Sequence, residues 1–104
     1  MRILLDECIP RKLKNSFYSH ECRAVPGWAG KKNGELLTLA ETAGFQVLIT
    51  IDRGIEYQQN LNPRSIAVVM IRTKSNRLVD LLPHVPEILK VLGSLQPGQL
   101  AKVG

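Results

Sequence analysis

The sequence predicts an α/β domain: a three-layer α/β/α arrangement around a mainly parallel sheet of about four to five strands. Two observations predict it. Ile3–Leu5, Phe45–Ile51 and Ile66–Ile71 are continuous apolar runs rather than alternating ones, as expected of strands buried on both faces of a sheet. Stretches with helical apolar spacing separate those runs, so strand is joined to strand by crossovers. Parallel strands joined in that way end on one common edge, and open α/β sheets bind ligands outside that carboxyl edge. A length of 104 residues predicts one domain over 1–104.

The elements follow in order. Met1–Pro10 (MRILLDECIP) carries the first strand, which ends in Asp6 and Glu7. Pro10 suits a first helical position. Ile9, Leu13 and Phe17 recur at four-residue spacing, so Pro10–Phe17 reads as a short helix with Arg11, Lys12 and Lys14 on its other face. Glu21–Val25 (ECRAV) reads as a short second strand. Residues 26–34 (PGWAGKKNG) form a glycine-rich basic loop, in which Trp28 is read as a plug at the core edge rather than a stacking platform for a base. Leu36, Leu37, Leu39, Ala40 and Ala43 give Glu35–Ala43 an apolar helical face, with Asn33 as N-cap and Gly44 as the C-terminal stop.

Phe45–Ile51 (FQVLITI) carries the strongest strand signal. Asp52 ends it, Arg53-Gly54 turns the chain, and Ile55–Leu61 reads as a short helical turn. Ile66–Ile71 is a further buried strand, followed by a basic loop of Arg72, Thr73, Lys74 and Ser75. Beyond Arg77, the residues Leu78, Leu81, Leu82, Val85, Ile88, Leu89 and Leu92 keep a helical period. Pro83 disfavours helix at Leu82, so the pattern divides into a helix to Leu82 and a second from Pro83 to Leu92, which Gly93 ends. Pro97-Gly98 makes a turn, and Leu100–Val103 reads as a last edge strand.

The formal net charge is +5, from 14 Lys and Arg against 9 Asp and Glu. That balance suits a phosphate-backbone partner, and suits equally a chain kept from self-association by its charge. Cys8 and Cys22 lack metal-ligand spacing and read as small buried hydrophobes in a reducing, cytoplasmic setting. Neither a signal-peptide pattern nor a stretch of membrane-span length is recognised, so a soluble protein with no membrane partner is expected.

The topology brings Asp6, Glu7 and Asp52 to one sheet edge. Clustered carboxylates repel unless a cation joins them, and oxygen-only ligands suit Mg²⁺ or Mn²⁺. Such an ion holds a phosphodiester oxygen and activates water for in-line attack. Arg11, Lys12, Lys31, Lys32, Arg53, Arg72 and Lys74 supply a basic surface for the backbone. Taken singly, each acid has a plain structural use. Asp6 or Glu7 can cap the helix near Pro10, Asp52 can start the turn at Arg53-Gly54, and Glu35 lies in a first helical turn where the dipole favours an acid. Two acids ending two separate buried strands favour the site. His20 and His84 are isolated and read as surface residues.

MRILLDECIPRKLK, GWAGKKNGELLTLAETAGF and VLITIDRGIEYQQNL resemble the short PIN-like proteins of bacteria, a branch of the PIN nuclease superfamily. The tail IAVVMIRTKSNRLVDLLPHVPEILKVL looks like one subgroup, so the resemblance runs over nearly the whole chain. It implies a PIN-like fold and a metal-dependent endoribonuclease with an acidic Mg²⁺ or Mn²⁺ pocket, the toxin of a toxin–antitoxin pair, with RNA as substrate and an antitoxin protein as partner. By matched position Asp6 is the first metal-site acid, Asp52 the later one, Thr50 a supporting polar residue and Glu7 an adjunct. The candidate substrate contacts are Arg11, Lys12, Lys32 and Arg53.

The family's middle acid, which opens its second helix, matches Asn33 here, an amide in place of a carboxylate. Glu35 stands two residues on, roughly 200° around the helix, and reaches the pocket only through a loose cap geometry. Asn33 therefore favours an alternative, a PIN-like module with weakened or lost catalysis that binds or regulates. A distant third is a receiver-like signalling domain with Asp52 as phospho-acceptor. It needs a lysine after a fifth central strand, where the sequence offers Lys74 after the fourth. Apolar positions left exposed on the last helices suit a homodimer.

Overall fold

The structure, a computed structural model, describes residues 1–104 except 25, 29, 32, 58–60 and 62. The strands are β1 (Arg2–Leu5), β2 (Glu21–Ala24), β3 (Val47–Thr50), β4 (Ala67–Ile71) and β5 (Leu100–Val103). The helices are α1 (Asn33–Thr42), α2 (Leu78–Leu81) and α3 (Val85–Leu92), with 3₁₀ segments at Arg11–Phe17, Pro26–Trp28, Arg53–Tyr57 and Leu82–His84. The five strands form one sheet in the order β2-β1-β3-β4-β5, and every neighbouring pair is parallel. The predicted three-layer α/β arrangement is therefore the observed one.

The continuous apolar runs have the cause proposed for them. Side chains alternate across a strand, so a strand covered on both faces needs apolar residues at every position, and every residue of β3 and β4 is buried. Ile3, Leu5, Val47, Ile49, Val69, Ile71 and Val103 face one layer and pack with Leu13, Phe17, Leu81, Ile88 and Leu92. Leu4, Leu48, Val68 and Met70 face the other and pack with Leu36, Leu37, Ala40 and Ile55. One layer thus holds the Arg11–Phe17 segment with α2 and α3, the other α1 with the Arg53–Tyr57 segment. The crossovers from β2 to β3 and from β4 to β5 run in the same direction across the sheet but on opposite faces. The last crossover therefore has the hand opposite to that of the others, against the usual preference. Its consequence is local: the chain after β4 folds back on the β1 side of the same face.

Several boundaries differ from expectation, each for a local reason. Pro10 has ψ of 134° and precedes its helix as a cap instead of opening it. The helix winds as 3₁₀ over Arg11–Phe17, beginning with the bond from Leu13 N–H to the Pro10 carbonyl at 3.0 Å. Ile9, Leu13 and Phe17 are nevertheless all buried, as their spacing required. Asn33 is the first residue of α1 and not its cap. Gly44 does end α1: with φ of +86° it sits where only glycine is unstrained. Gly44 N–H bonds to the Glu41 carbonyl at 3.0 Å and Phe45 N–H to the Ala40 carbonyl at 2.9 Å, the paired bonds of a Schellman motif. Trp28 packs at the core edge, its ring edge-on to Phe45 with centroids 6.1 Å apart. The C-terminal end of the predicted ECRAV strand and part of the predicted Ile55–Leu61 turn lie outside the described residues. Among those described, no helix is long and apolar enough to cross a membrane.

Candidate functional site

The site is built where β1 and β3 lie side by side. Their register sets Leu5 against Ile49. One residue further, Asp6 falls across from Thr50, and alternation turns both toward the α1 layer. The pairing persists into this step, since Asp6 N–H bonds to the Ile49 carbonyl at 3.0 Å. Thr50 is fully buried, and its Oγ1 donates to Asp6 Oδ2 at 2.6 Å while accepting from Asp52 N–H at 3.0 Å. From the start of α1, Asn33 Nδ2 donates to Asp52 Oδ2 at 3.1 Å. A carboxylate only accepts, so the amide must present its nitrogen there and aim its own oxygen elsewhere. Asp6, Thr50, Asp52 and Asn33 thus form one hydrogen-bonded chain at the carboxyl edge. It sits at the point where the chain, having gone to one side of β1 for β2, returns on the other for β3. Such a switch point is where open α/β sheets hold ligands.

The structural uses foreseen for the acids divide. No side chain caps the Arg11–Phe17 segment, and Asp6 Oδ1 instead accepts Glu7 N–H at 2.8 Å. Asp52 does start its turn, with Oδ1 accepting Gly54 N–H at 2.8 Å, while its second oxygen remains on Asn33. Glu7 does not join the cluster. It is exposed, and its Oε2 accepts Gly30 N–H at 3.0 Å, which ties the edge to a glycine with φ of +82°. Glu35 also points elsewhere, to Lys31 Nζ at 3.3 Å, in an exposed pair one helical turn apart. An apolar notch lined by Leu4, Leu5, Trp28 and Leu36 opens beside Asp6 and Glu7.

Of the basic candidates, Arg11 and Lys12 are exposed at the start of the segment leaving the β1 loop, and Arg53 is exposed directly after Asp52. Lys32 lies outside the described residues. The receiver-like reading needs a lysine after a fifth central strand, whereas β5 is an edge strand and its Lys102 lies within it, with Nζ paired to Glu56 Oε1.

One contact had no sequence signal. Asn76 Nδ2 donates to the Cys8 carbonyl at 3.2 Å and ties the loop after β4 to the loop after β1, past the end of the intervening β3. Cys8 and Cys22 are free, half-buried thiols. Burial pushes Cys22 up to about 11. Burial, joined by the negative charge of Asp6, also raises Cys8 against the opposing hydrogen bonds to Ile51 and Thr50.

What remains is a set of hard oxygen donors: two carboxylates, a hydroxyl and, after rotation, an amide carbonyl. Among the described residues no group of three His, Cys, Asp or Glu side chains is close enough to share a metal. The donor chemistry fits Mg²⁺ or Mn²⁺ with two negative charges supplied by Asp6 and Asp52. No family model matches this chain, and neither a curated protein nor a solved structure matches it.

Proposed function

We propose that this chain is a metal-dependent endoribonuclease of PIN-like type, acting on RNA at the carboxyl edge of β1 and β3. The observation that carries this reading is the buried Thr50 hydroxyl, which donates to the Asp6 carboxylate and accepts the backbone N–H of Asp52 at the same sheet edge. Asp6 and Asp52 would hold Mg²⁺ or Mn²⁺, and a bound ion of that kind supplies Lewis-acid polarisation of a phosphodiester oxygen and an activated water. Thr50 fixes the Asp6 carboxylate in one orientation from a position closed to water. Arg11, Lys12 and Arg53 stand exposed around that edge and hold backbone phosphates by charge, independent of base sequence. In a toxin–antitoxin pair, the antitoxin would silence the chain by covering this edge.

The test is RNA cleavage in Mn²⁺ by wild type, Asp6→Ala and Asp52→Ala, with metal binding measured on the same samples. Loss of cleavage and of metal binding in both variants is the expected result. Unchanged cleavage in both would sink the reading.

One observation favours a second reading, a PIN-like module that binds or regulates without cutting. The Asn33 amide already gives Asp52 a neutral hydrogen-bond donor, so that carboxylate is satisfied without a cation. Under this reading RNA still binds, Mn²⁺ adds no cleavage, and Asp6→Ala leaves the RNA affinity where it was.

A further inference from the structure

Asn33 is followed by Gly34, and this Asn–Gly step is the only one in the chain. Asn–Gly is the dipeptide that loses its side-chain amide most readily, because glycine has no side chain to crowd its own nitrogen as that nitrogen approaches the asparagine Cγ. Asn33 and Gly34 are the first two residues of α1. The Gly34 N–H therefore belongs to the first helical turn, whose amides find no carbonyl partner within the helix. Both residues are only half-buried, within reach of water. The amide that would be lost is the one bonded to Asp52 Oδ2 at 3.1 Å, at the end of the chain running through Thr50 to Asp6.

We infer that Asn33 is a deamidation site whose aspartate product adds a third carboxylate to the Asp6–Thr50–Asp52 cluster and thereby raises its affinity for a divalent cation. The cation part rests on the reading of the site given above. In the first step the Gly34 nitrogen gives up its proton to water and bonds to Asn33 Cγ. The Cγ–Nδ2 bond breaks, and ammonia leaves with a proton taken from water. Water then adds to the cyclic imide. Addition at Cγ breaks the bond from Cγ to the Gly34 nitrogen, restores the ordinary peptide and leaves a carboxylic acid; addition at the backbone carbonyl gives isoaspartate instead. The balance is one water consumed and one ammonia released, with no change of oxidation state.

The electrostatic consequence is direct. The donor to Asp52 Oδ2 disappears, and two like charges then face each other where an N–H···O bond had been. That arrangement is costly unless a proton or a cation intervenes.

The experiment ages the wild-type protein at mildly alkaline pH and follows each asparagine by peptide mapping in a mass spectrometer. Asn15 and Asn76, both exposed, serve as internal references. Mn²⁺ binding is titrated on fresh protein, aged protein and Asn33→Asp. Asn33 should convert faster than Asn15 and Asn76. The aspartate-bearing fraction and Asn33→Asp should each bind Mn²⁺ at least about tenfold more tightly than fresh protein, since affinity at oxygen sites follows ligand charge. Retention of the amide at Asn33 while Asn15 converts would overturn the inference, as would Asn33→Asp binding Mn²⁺ no better than wild type. The ribonuclease reading fails separately, when Asp6→Ala and Asp52→Ala cut RNA as wild type does, whatever Asn33 has become.

Discussion

Thr50 ends a strand whose other residues are aliphatic, and its hydroxyl lets a position with no exposure serve two carboxylate-bearing residues at once. Valine has nearly the same shape but neither the donor for Asp6 nor the acceptor for Asp52 N–H. Thr50→Val is expected to lose about 1–3 kcal/mol, the cost of leaving such groups unpaired, read as a lower urea midpoint. Under the proposed function its cleavage rate falls as well. The pair Asp6 and Asp52 was legible from the sequence because each directly follows an apolar run. Asn33 was not legible in its actual role. The sequence locates the start of α1, but an asparagine there is indistinguishable from a cap until the partner of its amide is known, and that partner lies 19 positions away. Glu7 and Glu35 were credited to the site on adjacency alone. Their side chains are claimed by Gly30 and Lys31.

Among the elements, α1 decides whether Asn33 meets Asp52, and α1 is held at both ends. Its C-terminal end is closed by the Gly44 motif. Along its length it is clamped to the chain entering β4. Arg64 Nη1 donates to Glu41 Oε1 at 2.5 Å, and Ser65 donates to Glu41 Oε2 from its backbone N–H at 2.9 Å and its Oγ at 3.0 Å. Arg64 also donates to the Gly34 carbonyl at 3.4 Å, one residue from Asn33. Burial pushes the Glu41 carboxyl up, but the bonds from Arg64 and Ser65 outweigh it and hold the group below its usual 4.5. Because its folded value is the lower one, Glu41 contributes stability that is full above the unfolded value and is lost as pH falls through the folded value. Wild type should therefore lose stability on acidification from about pH 5 downward, and Glu41→Gln should show a flatter curve across the same range in denaturant midpoints. The clamp was invisible in the sequence. Glu41 and Arg64 stand 23 positions apart, and no local pattern relates them.

At the scale of the molecule, one sheet serves two cores. Leu48 and Ile49 are consecutive residues of β3, both fully buried, yet they belong to opposite faces. Leu48→Ala and Ile49→Ala are each expected to cost about 2–5 kcal/mol. Both should still unfold in a single transition by far-UV and near-UV circular dichroism, because neither layer retains a partner once the shared sheet is lost. Two separate transitions would show that the layers fold independently. Exposed apolar side chains remain on α2, on α3 and between them, at Val79, Leu82 and Leu89.

Local order along the chain carries the fold class. Apolar runs, helical periods and the Pro and Gly stops depend on residues a few positions apart, and burial on two faces has no other economical solution for them. The same order placed Asp6 and Asp52 on one edge, since parallel strands share a direction. Tertiary packing decided the remainder: the order of the strands, the opposite hand of the last crossover, the Asn76 tie, and the turning of Asn33 onto Asp52. These rest on contacts between residues far apart in sequence, whose geometry is set only when both layers close on the sheet. The wiring of the site was likewise decided there: one buried hydroxyl holds the Asp6 carboxylate and the Asp52 backbone N–H, and the Asn33 amide holds the Asp52 carboxylate.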